Sequence, residues 1–350
     1  MRSWLLSVLL ALATACDASQ PPVRVVTLGA ARDTLTLARA EVTDVAWLGG
    51  DRWATLAAAE NAVDLVDFGA HSARPLRQGS RGELANPFAI FAAGDTLFVA
   101  DWGKRRLSLW SAAGRLLDAV PALDAARGAL PAARDARGRF YVELHPPAGP
   151  DGGGNRDSAT VLRTEPGSTH LDTVARLSPL DLAEVESNAG RRFERRVFSG
   201  SDQWGLLDDG HLWVARVYRN RVELVSADGS RTRGEPLPDR LLEVTEYDRE
   251  LFRRRFPKEL RANASRLPYA ALKPAFEHGF SDGAHIWLER SRAPADSARG
   301  YLVVDGSGRL VREIRLPGQG RILGVRDGMA LVATPAAGGT RLARYSIPAP

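Results

Sequence analysis

The histidines are the first residues to consider for chemistry, because imidazole is a common metal ligand and a general base near neutral pH. They are His71, His145, His170, His211, His278 and His285. No two of them have the H-x-H or H-x-x-x-H spacing of a metal site, and none lies among acids spaced as in a calcium loop. His145 and His278 belong to separate predicted strands, so only folding could bring them together. Spacing alone therefore predicts no metal site.

Motifs for covalent catalysis and phosphate binding are missing from the sequence. It has no G-x-S-x-G nucleophile elbow, no S-x-x-K in a plausible context, no Walker A loop and no G-x-G-x-x-G. The glycine run at 151–154 lacks the strand and helix that frame a phosphate-binding loop. The single cysteine excludes an intramolecular disulfide and a Cys-cluster zinc site. We therefore predict no catalytic residues and no cofactor.

Aromatic and basic side chains in two predicted loops are better candidates for binding a partner. Trp102 lies in a loop with Lys104 and Arg105, and an exposed tryptophan flanked by cations is typical of a contact surface. A second copy of the same pattern has basic and aromatic residues in the equivalent loop. The full set of predicted partner contacts is Trp102, Lys104, Arg105, His145, Arg216, Tyr218, Arg219 and Arg290.

The N-terminus has the features of an export signal. A short basic start precedes an apolar stretch at 5–12, too short to span a bilayer, and small residues precede Cys16. Small residues directly before a cysteine resemble a bacterial lipobox, in which Cys16 carries the lipid. The alternative is a secreted protein with a free thiol, which is unfavourable in an oxidising compartment. We expect a lipoprotein signal peptide at 1–16 including lipidated Cys16, a tether at 17–22, and an exported, membrane-anchored protein facing the periplasm or the outside.

Composition indicates an ordinary globular chain of 350 residues, with 44% hydrophobic and 25% charged residues. Lys plus Arg number 47 and Asp plus Glu 42, which gives a net charge of +5. This excess is small for the length, and no single stretch is a basic stripe. We therefore expect no nucleic-acid partner.

The rest of the chain repeats a unit of short strands separated by Gly/Asp turns. Residues 88–117 form the clearest copy and residues 205–229 a second, and such turns between alternating runs are hairpin signals. The turn glycines are Gly50, Gly94, Gly138, Gly210, Gly283 and Gly328. Their spacings of 44, 44 and 45 residues fit one propeller blade each, and spacings of 72 and 73 fit a blade plus an insertion. Residues 23–350 are therefore predicted to form one six-bladed β-propeller.

The last blade lacks an outer strand of its own. After Gly328 only two strands are evident, at 329–333 and 341–347, so another must come from the N-terminus. Residues 23–28 have strand composition, and adding them to the last blade would remove an open sheet edge. We expect this strand to close the ring.

Residues 97–116 resemble an NHL repeat. An apolar strand ends in Asp101, a short loop and a basic residue follow, and an alternating strand leads to a turn glycine. In the second copy Arg216 replaces the aspartate. The chain as a whole resembles bacterial six-bladed propellers of the NHL-like and TolB-like kind, many of which are exported. This resemblance implies that Asp101 accepts backbone N–H bonds in the adjacent loop.

The same resemblance implies two candidate axial sites. One would place histidines such as His145 and His278 on zinc, as in an NHL-type lyase. The other would hold calcium through carboxylates and Asn of the innermost strands, as in lactonase propellers. The possible calcium ligands near the starts of those strands are Asp44, Asn86, Asp202 and Glu277. Such residues also cap strands and line water-filled channels, so neither site is preferred.

Four long segments fall on one side of the expected propeller, because its B–C loops and D–A connections emerge on the same face. They are 145–158, 180–198, 238–274 and 290–299. Loops on a rigid scaffold commonly carry binding residues, although insertions also accumulate wherever a face tolerates them. The two D–A segments are predicted to be helical: acids precede bases in the first, and apolar residues have helical spacing over 243–256. We interpret their arginines as solvated helix faces; the alternative is an arginine-rich rim that attracts carboxylate, phosphate or anionic glycan.

The expected protein is thus all-β, a six-bladed β-propeller with an N-terminal strand closing the last blade and helical insertions on one face. Its expected role is non-catalytic binding of a protein, peptide or glycan in the cell envelope through the B–C and D–A loop face. The membrane is contacted through the lipid anchor only. The alternatives are a metal-dependent hydrolase or lyase with an axial site, lactonase-like or amidating-lyase-like, and a purely structural envelope component.

Overall fold

Six antiparallel sheets follow one another along the chain and form the blades of a β-propeller. The computed structural model describes residues 23–76, 83–123, 129–146, 158–168, 170–187 and 190–348. In every sheet the blade's own strands are arranged in sequence order, as expected for alternating strands joined by short turns. The innermost strands of successive blades contact one another, and that of the last blade contacts that of the first. The ring is therefore closed, and the predicted fold is confirmed.

The strands have the following bounds. Two precede the blades, β1 (Arg24–Thr27) and β2 (Asp33–Leu37). Blade 1 contains β3 (Asp44–Trp47), β4 (Arg52–Ala57), β5 (Ala62–Asp67) and β6 (Ser72–Pro75). Blade 2 contains β7 (Pro87–Ala93), β8 (Thr96–Asp101), β9 (Arg106–Ser111) and β10 (Leu116–Pro121). Blade 3 contains β11 (Pro131–Arg134), β12 (Phe140–Leu144), β13 (Thr160–Thr164) and β14 (Asp172–Arg176), and is followed by a hairpin of β15 (Leu182–Ser187) and β16 (Gly190–Arg195).

Blade 4 contains β17 (Gln203–Leu206), β18 (Leu212–Arg216), β19 (Arg221–Val225) and β20 (Arg231–Arg233). Two short helices follow, α1 (Glu246–Arg254) and α2 (Arg261–Ser265), with a 3₁₀ turn at Lys258–Leu260 between them. Blade 5 contains β21 (Phe276–Ser281), β22 (Ile286–Arg290), β23 (Ala298–Val304) and β24 (Leu310–Pro317). Blade 6 contains β25 (Arg321–Arg326), β26 (Met329–Ala336) and β27 (Gly339–Ser346).

The core is divided among the blade boundaries. The described residues form six clusters of buried apolar side chains, one between each pair of neighbouring blades. Trp110, Trp213 and Trp287 anchor three of these clusters and are at most 1% exposed. Because each large ring packs against the next sheet, burial of this apolar area ties neighbouring blades together.

An N-terminal strand closes the last blade, but it is not the predicted one. β2 pairs antiparallel with β27 and supplies the fourth strand of blade 6. The expected segment, 23–28, instead contributes β1, which pairs in parallel with β24 as a fifth strand of blade 5. The physical reason is the alternation in Asp33–Leu37, which turns Leu35 and Leu37 toward the core while β1 remains largely exposed. The N-terminal segment therefore covers two sheet edges.

The first D–A segment, 180–198, is a β-hairpin, so the helix prediction for it is wrong. β15 pairs with β16 in a register that places Glu186 directly opposite Arg191 and Glu184 diagonal to it. The Arg191 guanidinium lies 3.4 Å from Glu184 and 3.9 Å from Glu186, and Arg196 lies 3.3 Å from Asp181. The acids-then-bases pattern is thus cross-strand charge pairing, which stabilises a sheet.

The second D–A segment, 238–274, contains the predicted helix. Thr245 caps α1 through a capping box with Asp248, and the buried Asp248 carboxylate accepts a 2.6 Å bond from Lys273. Phe198, Phe252 and Tyr269 pack ring against ring, and Val197 pairs with Tyr269. The two insertions therefore support each other. In the described part of the chain, no helix has the length and apolar character needed to cross a membrane.

Candidate functional site

An axial cavity of about 810 Å³ opens on the face that carries the B–C loops and D–A connections, here called the loop face. Blades 2 to 5 contribute its walls. Apolar side chains dominate the lining: Phe88, Trp102, Leu130, Leu144, Pro146, Leu177, Leu180 and Trp204. The ionisable side chains at its edge are Glu143, His145, Arg195, Asp202 and His278. A mostly apolar cavity with few convergent polar groups is the usual form of a ligand site.

The inner wall of this cavity depends on small residues. Gly205 lies on β17, and a Cβ added there would lie 2.7 Å from the Trp213 ring. Gly279 on β21 lies against the same ring, with a Cβ position 3.2 Å away. The buried tryptophan can therefore approach the backbone of two inner strands, which leaves the axis open. Larger residues at these glycines would displace Trp213 from the core.

Trp102 reaches the cavity because Asp101 fixes its loop. The buried Asp101 carboxylate accepts backbone N–H bonds from Ala85 (2.8 Å), Asn86 (3.1 Å) and Lys104 (3.0 Å). The role implied for Asp101 by the NHL resemblance is therefore confirmed. These bonds tie the B–C loop of blade 2 to the D–A connection before it. The Trp102 side chain, 46% exposed, is held at the cavity rim.

Glu143, His145 and Trp204 form a hydrogen-bonded group on the cavity wall. Glu143 Oε1 lies 3.0 Å from His145 Nε2, and Glu143 Oε2 accepts a 2.6 Å bond from Trp204 Nε1. The bond to Glu143 raises the pKa of His145. Burial favours the neutral acid, but the bonds from His145 and Trp204 outweigh it and keep the pKa of Glu143 below its usual range. The group therefore presents a carboxylate-oriented imidazole to the cavity.

His278 lies deeper on the axis and borders both this cavity and a second one. Burial, with a smaller contribution from the Arg321 charge, lowers the pKa of His278 to about 4. Its imidazole is therefore neutral at neutral pH. His145 and His278, which are remote in sequence, line the same cavity.

The second cavity, of about 800 Å³, opens on the face of the A–B turns. Arg326 crosses its mouth: the guanidinium makes two 2.9 Å bonds to Asp208 and lies 5.6 Å from the Trp47 ring centre. Asp44 lines this cavity, and burial raises its pKa to about 6. No sequence motif indicated this opening, because its lining comes from strand ends and short turns.

Asp202 performs in blade 4 the task that Asp101 performs in blade 2. Its carboxylate accepts the backbone N–H bonds of Ser178 (2.7 Å) and Val217 (3.0 Å), and a 2.8 Å bond from Arg216. Arg216 also binds Glu223 at 2.8 Å. Asp202 and Glu143 were not among the predicted contacts. A usable signal existed for Glu143, since it lies two positions before His145 at the end of β12, and residues two apart along a strand point to the same face.

The other predicted contacts lie outside the axial cavity. Lys104 and Arg105 are exposed beside Trp102, and Tyr218 is 55% exposed with its hydroxyl 3.4 Å from the Gly200 carbonyl. Arg290 pairs with Glu313 at 3.2 Å. Arg216 and Arg219 line a separate pocket between blades 3 and 4. Cys16 lies outside the described residues, as do the whole signal peptide and tether.

The implied metal sites find no support in the geometry. Across the described ranges, no group of three or more His, Cys, Asp or Glu side chains is placed to hold a metal ion. The Asp44 carboxylate accepts the backbone N–H bonds of Val45 and Ile90, and Asp202 is committed to Arg216 and two amides. These two calcium candidates therefore cap strands and loops. Glu277 lies on β21 with its side chain exposed.

Comparison with known proteins defines a structural class. The chain matches no protein-family model and no curated protein. It is similar to a member of the DUF4221 family from Bacteroides vulgatus, with a TM-score of 0.55 and 10% identity, over 91% of this chain and 96% of that one. It is also similar to a gluconolactonase from Xanthomonas campestris (TM-score 0.48, 14% identity, 91% of this chain and 90% of that chain). A third similar structure is virginiamycin B lyase from Staphylococcus aureus (TM-score 0.48, 10% identity, 90% of this chain and 99% of that chain). At 10% identity, the similarity to the DUF4221 member shows the fold alone, a six-bladed β-propeller.

Proposed function

We propose that the protein is a non-catalytic binding propeller that takes a short peptide segment into the axial cavity from the loop face. The observation that carries the proposal is the cavity itself, with Trp102 held 46% exposed at its rim. Phe88, Leu144 and Leu180 offer apolar surface to a side chain of the ligand. Glu143 and Arg195 at the edge provide charged groups for its backbone or ends. A peptide is favoured over a glycan because the lining is mainly apolar.

We further propose that the protein is exported and anchored in the cell envelope by a lipid on Cys16. The support is the apolar stretch at 5–12 followed by small residues and the chain's only cysteine. Labelled palmitate should be incorporated into the parent protein and lost in Cys16→Ser. An unlabelled parent protein would remove the anchor from the proposal.

A photo-crosslinking amino acid at position 102 tests the binding proposal in native cells. Leu117 provides the matched control position, because it is 45% exposed on the outer strand of the same blade. A protease-sensitive adduct is expected at position 102 and not at 117. An adduct that resists protease but yields to glycosidases would indicate a glycan instead. Absence of any adduct specific to position 102 would contradict binding in this cavity.

A second candidate function is hydrolysis or elimination in the same cavity. It is favoured by one observation, the carboxylate-oriented imidazole of His145 across the cavity from neutral His278. Turnover of a panel of chromogenic lactones, with and without added Ca²⁺ or Zn²⁺, tests it. Activity that is lost in His145→Gln but kept in His170→Gln, an exposed histidine outside the cavity, would favour this function over binding alone.

A further inference from the structure

A separate pocket of about 730 Å³ lies between blades 3 and 4. It is lined by Leu177, Ser178, Arg216, Arg219, Glu223, Arg231 and Arg233. Four of these seven residues are arginines, and one is an acid. We call it the blade 3–4 pocket. Leu177 and Ser178 also line the axial cavity, so the two are neighbours with one shared wall.

The register of blade 4 brings the arginines together. Glu223 on β19 is paired with Arg233 on β20, and Val225 is paired with Arg231. Residues directly opposite each other, and those two apart on one strand, share a face of the sheet. Arg231 and Arg233 therefore lie on the same face as Glu223, the face that packs against blade 3. Arg219 is added from the B–C loop of the same blade.

The acids of this region are already occupied by one of the arginines. Arg216 binds Glu223 at 2.8 Å and Asp202 at 2.8 Å, and also donates to the Arg176 carbonyl at 2.7 Å. Arg231 donates to the Val174 carbonyl at 2.9 Å, which fixes its position but leaves its charge unbalanced. Within the described ranges, the guanidinium groups of Arg219 and Arg233 have no ion pair or hydrogen bond.

We propose that the blade 3–4 pocket binds an oxoanion, a phosphate or sulfate group. Guanidinium groups present several N–H donors in a planar fork that matches the oxygens of such groups, and charge-assisted bonds of this kind are stronger than neutral ones. Arg231 is held in place by Val174, while Arg233 and Arg219 supply free donors between it and the B–C loop end of the pocket. A doubly charged anion would balance the two arginines that have no partner. The proposal does not depend on the function of the axial cavity.

Calorimetric titration tests this site, with inorganic phosphate and phenyl phosphate as probes at constant ionic strength in sodium chloride. Saturable binding of one anion per chain is expected. The Arg219→Gln/Arg233→Gln double variant should weaken binding by about a hundredfold, since each of the two lost charge-assisted bonds costs roughly a factor of ten. Arg137→Gln is the control for charge, because Arg137 is exposed in the A–B turn of blade 3 on the opposite face. It should bind within about twofold of the parent.

The two probes distinguish the source of the group. Binding of inorganic phosphate alone indicates a free anion, and tighter binding of phenyl phosphate indicates an ester; either result supports the site. Circular dichroism in chloride shows whether the variants fold, and Arg219→Gln alone replaces the double variant if that variant unfolds. The proposal is overturned if neither probe binds saturably. It is also overturned if the variants at 219 and 233 bind like the parent, or if Arg137→Gln weakens binding equally.

Discussion

Replacing Asp101 by asparagine should destabilise the propeller because this carboxylate is a buried acceptor for three backbone amides. One oxygen accepts from Asn86 and Lys104 and the other from Ala85. Asparagine of nearly the same shape retains one acceptor oxygen. If that oxygen keeps Asn86 and Lys104, the new NH₂ group faces the Ala85 N–H, and two donors then meet.

The size of the effect follows from these three bonds. An amide that loses its acceptor away from water costs about 1–3 kcal/mol, and bonds to a charged acceptor exceed neutral ones by roughly 1 kcal/mol each. All three contacts are only partly buried, so we expect a loss of about 2–3 kcal/mol for Asp101→Asn. Asp118→Asn is the matched control. Within the described ranges, the exposed Asp118 carboxylate accepts only the N–H of the next residue, and its substitution should cost less than about 0.5 kcal/mol.

Urea unfolding followed by circular dichroism measures the difference. Hydrogen exchange at the Ala85 amide should also accelerate in Asp101→Asn, because that amide would lose its acceptor while the rest of the blade stays folded. Equal unfolding midpoints for the two variants would refute the assignment of Asp101 as a buried cap. In that case the fixed position of Trp102 at the cavity rim would need another cause.

Three further predictions address ring closure and the two cavity histidines. Gly339 has φ 147°, and a Cβ added there would lie 2.0 Å from the Leu37 carbonyl oxygen. Gly339→Ala should therefore lower the free energy of unfolding by about 2–4 kcal/mol in the same urea assay. The control is Gly338→Ala, whose Cβ would lie in open space and which should cost about 1 kcal/mol. Because the bond to Glu143 raises the pKa of His145, NMR titration should place this pKa above 6.5, and should find a lower pKa in Glu143→Gln. The pair stabilises the fold below pH 6.5, and this contribution to stability is lost as the pH rises through the raised pKa of His145. NMR should find the pKa of His278 near 4. As the pH is lowered, the unfolded chain takes up this proton near pH 6.5 and the folded chain only near pH 4, so the free energy of unfolding decreases between these two values. His278→Gln should reduce that decrease. An observed His278 midpoint near 6.5 would contradict its burial.

The sequence was sufficient to predict the blades because local rules govern them. All six predicted turn glycines lie between the first and second strands of a blade and have φ between 56° and 98°, which only glycine adopts freely. The closing strand was harder to predict, since segments 24–27 and 33–37 both have strand composition. The choice between them depends on which segment can pair with β27, about 300 residues away, while its leucines face the core. No local pattern contains that information.

Charge order misled the prediction for 180–198 for a related reason. Acids followed by arginines satisfy a helix dipole and a hairpin ladder equally well, and only the strand pairing decides between them. The cavity was foreseen in part. The sequence predicts Trp102 in an exposed B–C loop and His145 at the end of a strand next to the axial face. Trp204 on β17 and Glu143 on β12 lie within strands, where tryptophan and single acids are commonly structural.

The comparison of blades 2 and 4 shows how one structural requirement is met by different residues. In blade 2 the last residue of the second strand, Asp101, binds amides of the preceding D–A connection and of its own B–C loop. In blade 4 the equivalent residue is Arg216. It donates to Asp202 of the D–A connection, and the same Asp202 carboxylate accepts from one amide of that connection and one of the B–C loop. The tie between connection and loop is therefore retained while its charge is reversed.

The arginine at the end of the second strand changes the charge balance on the surface of blade 4. An arginine at the strand end needs carboxylates, and Asp202 and Glu223 are both used to balance it. Neither acid then remains to neutralise Arg219, Arg231 and Arg233, which line the same pocket. In blade 2 the strand end itself carries the negative charge, so Lys104 and Arg105 lie beside an acid. The concentration of positive charge between blades 3 and 4 thus reflects an arginine at the strand end, which uses the nearby acids, together with three further arginines in the loop and the outer strand.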